Sequence, residues 1–172
     1  MTGVQTCALP ICVNAIVAAI LWHDNDVVVQ REGCSAIMHL TKTLEGSQME
    51  TFPTRAIRAI VAALSLQITD HEVQQYACGA LMNLARNHEA NQSEIARAGG
   101  IPAIVAAMNS HTTISDVQQY ACGMLSSPTS ANNPASLLHF FSCTFDIRIV
   151  CIITGHIKVS THVLPIDRKS VV

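Results

Sequence analysis

VQQYACGALMNL, residues 73–84, is the middle one of three copies of a phrase; VQREGCSAIMHL occupies residues 29–40 and VQQYACGML residues 117–125. Their first residues, Val29, Val73 and Val117, are separated by a constant step of 44 residues. A second phrase keeps the same step, with IVAAI beginning at Ile16, IVAAL at Ile60 and IVAAM at Ile104. Two phrases in one period mark a repeat protein. A period of about 40–47 residues is the length of a unit of two or three helices, which cannot bury its apolar face alone and must stack on its neighbours.

The pattern within the phrase is helical. Val73, Ala77, Ala80, Leu81 and Leu84 fall on one face, and Gln75, Tyr76, Gly79 and Asn83 on another. In the first copy Val29, Gly33, Ala36, Ile37 and Leu40 fall on the same kind of stripe. Apolar density predicts further helices over 13–22, 56–66, 92–98 and 101–108, with the middle phrase in a helix over 72–86. His23, Asp24, Asn25 and Asp26 end the first helix and supply caps for the second. Gly46 and Ser47 interrupt the pattern, and Pro53 suits a helix start, where its missing N–H costs nothing. Thr69 and Glu72 stand at the spacing of a capping box. Gly99 and Gly100 stop the short helix, and Pro102 lies near the start of the third IVAA helix.

The composition agrees with an all-α chain. Of 172 residues 49% are hydrophobic but only 4% aromatic, which suits close helix contacts better than a β-sandwich core. The net charge is −2 and the Lys and Arg residues are scattered, so no basic stripe is present to neutralise phosphates and nucleic acid is not an expected partner. Three of the seven cysteines, Cys34, Cys78 and Cys122, occupy one position of the repeat and read as packing residues. There is no CxxC pair and no zinc-finger spacing, so no metal and no cofactor is expected, and free thiols suit a reducing compartment, cytoplasmic or nuclear. His39, His71, His88 and His111 fall at loops or helix ends, where capping or exposure is expected. The apolar run over 13–22 lacks the preceding basic residues of a secretory signal. The apolar stretch 137–153 is interrupted by Asp146 and Arg148, which makes it a poor membrane span.

The run from Asn91 through AGGIPAIVAAM to VQQYACG resembles armadillo-repeat proteins, and the resemblance extends over residues 13–126, about two and a half repeats. It implies an α-solenoid in which the helices stack into a right-handed superhelix and the third helix of each repeat lines a concave groove. In that family an Asn near the end of the third helix clamps the backbone of an extended partner peptide, and the matching position here is Asn83; the first copy has His39 there and the third has Ser127. Peptide-binding members often carry Trp four residues earlier, where this chain has Ser35, Gly79 and Gly123. The resemblance thus implies a partner-binding groove formed by His39, Gln75, Tyr76, Gly79, Asn83, Gln119 and Tyr120. Tyr76 and Tyr120 suit two roles, anchors for a partner or packing against the next repeat. The recurring Gln74–Gln75 and Gln118–Gln119 pairs likewise suit either a peptide backbone or solvent.

Outside the repeats the chain changes character. Residues 2–11, TGVQTCALPI, and 167–172, DRKSVV, look like translated sequencing-library adapters, so residues 1–12 are expected to be adapter-derived and disordered. Residues 127–172 are expected to form an irregular, non-repeat tail, artefactual or disordered, since Pro128 and Pro134 forbid a continuing helix. With both ends of the stack exposing apolar side chains, marginal stability is expected. No nucleophile elbow, phosphate loop or Gly-rich fingerprint occurs, so an enzyme is not expected. The two functions that fit are a scaffold binding a protein or extended peptide on the concave face, and a structural spacer in a larger protein. Neither requires a small-molecule substrate or membrane insertion.

Overall fold

The apolar stripes and their polar breaks fold into helices among the described residues. The structure, a computed structural model, describes residues 5–42, 52, 54–86 and 88–125, with side chains from residue 11 onward. Gly46, Ser47, Pro53, Ser127 and the whole of the expected tail lie outside the described residues. Among the described residues every regular element is an α-helix: α1 (Gln5–Trp22), α2 (Val27–Lys42), α3 (Thr54–Leu66), α4 (His71–Ala85), α5 (Glu89–Arg97), α6 (Gly100–Ser110) and α7 (Ser115–Leu125).

Helix α1 begins at Gln5, well before the expected start at Val13, and so takes in much of the adapter-like stretch that was expected to be disordered. The helix runs through Pro10, which lacks an N–H and so leaves one place in this stretch without its backbone bond. At the start of α2 the Asp26 carboxylate accepts from Val28 N (3.0 Å) and Val29 N (3.2 Å), as expected. At α4 the cap differs from the expected capping box. Asp70, not Thr69, is the N-cap, and its Oδ1 accepts from Val73 N at 2.9 Å. A carboxylate serves better than a hydroxyl at the positive end of a helix, and this one is also held from the side by Arg31. Between α5 and α6 the chain turns at Gly99, whose φ of 81° is a left-handed conformation open to glycine at little cost.

The helices pack in two layers that keep the period of the sequence. In one, α4 lies between α2 and α7, so the three copies of the phrase run side by side; in the other, α3 lies between α1 and α6, the three IVAA helices. Pairs α1–α2, α3–α4 and α6–α7 join the layers, and short α5 bridges α3, α4 and α6. The core between the layers is aliphatic: Ile20, Ile37, Ile57, Ile60, Leu64, Leu81, Leu84 and Ile104 are all buried. The five residues expected on the inward face of α4, Val73, Ala77, Ala80, Leu81 and Leu84, are fully buried there.

Candidate interaction surface

The first residues of each phrase fix where its helix sits. Gln30, Gln74 and Gln118, one per copy, are buried, and each turns its amide onto the end of the IVAA helix before it. Gln30 Nε2 donates to Ile20 O (2.7 Å) and His23 O (2.9 Å); Gln74 Nε2 donates to Leu64 O (2.9 Å) and Gln67 O (3.0 Å). Gln118 Nε2 donates to Met108 O (2.8 Å) and His111 O (3.0 Å). The last carbonyls of a helix have no partner within it, and one glutamine satisfies two of them at each turn. Of the two roles expected for Gln74 and Gln118, a groove wall and a solvated surface, neither holds. Their task is internal, and the Oε1 of Gln74 is itself left buried without a partner. Gln30 was missed as a structural residue, although its place one step before Gln74 and two before Gln118 was the signal.

With these amides spent inside, the outward side chains of the phrase layer are those one residue further on. Gln75 and Tyr76 on α4 are half-buried; on α7 Gln119 is exposed and Tyr120 half-buried. Tyr76 and Tyr120 both pack at the edge of the core. Tyr120 also leans across to α4, where its Cδ1 is 3.5 Å from the place a Cβ on Gly79 would take. His39 on α2 is exposed, and its Nδ1 stands 2.8 Å from Ser35 O, so that nitrogen carries the hydrogen. The structure therefore brings Gly79 and Tyr120 together, with His39 on the adjoining helix.

Two expected groove residues are occupied within the fold. Asn83 is 8% exposed, and its Nδ2 donates to Met38 O (3.1 Å) and to Thr41 Oγ1 (3.3 Å), tying α4 to α2. Gly79 is a point of close approach: a Cβ there would lie 2.6 Å from Met38 Sδ. The same contact recurs one period later, where a Cβ on Gly123 would lie 2.6 Å from Met82 Sδ. At Gly79 and Gly123 the space beside the helix is thus filled by a methionine of the preceding copy. A single sequence marks these glycines as small but not what covers them.

Charge at this surface is local. Arg31 Nη2 donates to Asp70 Oδ2 at 2.9 Å, and its Nε stands 2.9 Å from Glu72 Oε2 without the alignment of a hydrogen bond. The bond to Asp70 raises the guanidinium above its ordinary value. Burial pushes the Asp70 carboxyl up, but the Val73 N–H and Arg31 outweigh it and hold the group below its usual range. Glu94, buried on α5, pairs with Arg58 on α3 (2.6 Å) and with Arg97 on its own helix (3.1 Å).

Cys34 and Cys78 are fully buried, and burial pushes both thiols up to about 12; Cys34 adds to the rise at Cys78. Such thiols stay protonated and unreactive at neutral pH, in keeping with the packing role expected of them. His88 caps α5, its Nδ1 accepting from Asn91 N at 3.2 Å, while His71 is exposed at the start of α4. Among the described residues no three His, Cys, Asp or Glu side chains stand close enough to share a metal ion, and no helix is long and apolar enough to cross a membrane. An open hollow lies at the α1–α2 turn, lined by Trp22 through Val27. In comparisons with known proteins, no family model, no curated protein and no solved structure matches the chain.

Proposed function

We propose that the chain is a segment of an armadillo-type α-solenoid that works as a protein-binding scaffold, holding a partner protein or an extended peptide against the layer formed by α2, α4 and α7. The observation that carries this reading is the side-by-side placement of three copies of one helix, with Gln75 and Tyr76 repeated one step on as Gln119 and Tyr120 at the outward edge of the layer. Amide and phenol groups repeated along such a row match the repeated polar groups of an extended backbone, and tyrosine offers contact area at low entropic cost. The scaffold carries out no chemistry of its own, and its setting is the cytoplasm or nucleus.

The test uses peptides selected from a random display library on the immobilised full chain. Tyr76→Ala combined with Tyr120→Ala is expected to weaken the selected peptides at least tenfold in calorimetric titration, and unchanged affinity would contradict the assignment. Asn83→Ala is unsuited to this test because it also removes a bond between α2 and α4.

A structural spacer is the second reading, and one observation favours it: Asn83 is engaged with α2, and Met38 fills the space over Gly79. A library that yields no peptide dependent on Tyr76 or Tyr120 would favour the spacer.

A further inference from the structure

Met38 on α2 and Met82 on α4 hold the same position of the repeat, and each lies over a glycine of the next copy. In both places the sulfur is the nearest atom. A Cβ on Gly79 would meet Met38 Sδ before Met38 Cγ (3.2 Å), and one on Gly123 would meet Met82 Sδ before Met82 Cγ (3.6 Å). Tyr120 of α7 reaches the same point on Gly79, so the three phrase helices meet there. The Met38 backbone is held as well, since its carbonyl accepts from Asn83 Nδ2 (3.1 Å) and from Thr41 Oγ1 (3.0 Å). Both methionines pack against the core yet are only partly buried, whereas Met108 and Met124 are 7% and 6% exposed. A thioether seated on a glycine and still reachable from solvent is placed to react with a small oxidant.

We propose that Met38 and Met82 are an oxidation-sensitive latch between successive copies, which hydrogen peroxide opens by converting both to methionine sulfoxide. In each reaction the sulfur gives an electron pair to one peroxide oxygen and the O–O bond breaks. The proton on the transferred oxygen passes to the departing hydroxide, which leaves as water. Sulfur is thereby oxidised by two electrons and the peroxide reduced by two. The product carries a polar oxygen on a side chain that was apolar. On the glycine side the amides of the helix interior are already bonded along the helix, so the new oxygen finds its donors in water. The side chain turns outward, the glycine loses its cover, and α2 loosens from α4 as α4 does from α7. The latch lies between copies and does not depend on any partner at the outward tyrosines.

A time course of the full chain in hydrogen peroxide tests this, with oxidation at each methionine read by peptide mass spectrometry and stability by thermal melts. Met38 and Met82 are expected to react ahead of Met108 and Met124, and the melting midpoint to fall by at least about 4 °C as they do. Met38→Leu together with Met82→Leu keeps a similar volume without the sulfur and leaves every other methionine in place. Its midpoint is expected to stay where it is under the same treatment. Should leucine fit too poorly for that variant to fold, the parent still decides, because its midpoint must follow oxidation at Met38 and Met82 and not the later reaction at Met108 and Met124. Met108 and Met124 reacting first, a fully oxidised chain that melts as the untreated one does, or an equal fall in the folded leucine variant would overturn the proposal.

Discussion

Two adjacent glutamines illustrate how little of a residue's task lies in its type. Gln74 reaches two helix-end carbonyls and is wholly buried, while Gln75 stands half-exposed beside it. Gln74→Ala would leave Leu64 O and Gln67 O without their donor, at a cost of about 1–3 kcal/mol. Gln75→Ala should stay within about 0.5 kcal/mol of the parent. Equilibrium urea unfolding compares the two directly, and equal midpoints would contradict the assignment. The repeated VQ was legible as a repeat but not as a clamp, because a helical wheel gives the direction of a side chain and not the carbonyls waiting there. Cys34 and Cys78 were easier to read, since a small residue repeated on a packed face has few other uses.

At the scale of elements, helix ends were harder to place than helix centres. The centres of α2, α3, α4, α6 and α7 follow from apolar spacing alone, whereas the α4 cap moved from Thr69 to Asp70 because Arg31, distant in sequence, also holds that carboxylate. The cap has a pH signature. Because the folded carboxyl is held below its usual range, its contribution is complete above the unfolded value of about 3.9 and is lost as pH falls through the depressed folded value. Asp70→Asn keeps an oxygen for the Val73 N–H and removes the charge. The parent should therefore melt higher at pH 7, and the difference should shrink as the medium is acidified below about pH 3.9. Thermal melts of both proteins across that range check it, and a difference that held constant would mean the charge on Asp70 is not what stabilises the start of α4.

For the whole molecule, the 44-residue step was the most legible feature, since it needs only counting, and the two layers of helices keep it. What the step could not disclose is how one copy fits the next. The interlock of Met38 over Gly79 and of Met82 over Gly123 joins residues from neighbouring copies, whereas the armadillo resemblance places Gly79 in a partner-binding groove. That interlock is also the most direct check on the central claim, that the three phrases lie side by side as equivalent helices. In a chain carrying 13C-labelled methionine, the nuclear Overhauser spectrum is expected to connect the Met38 γ-protons to the Gly79 α-protons and the Met82 γ-protons to the Gly123 α-protons. A helical chain in which neither connection is found would contradict the stacked arrangement.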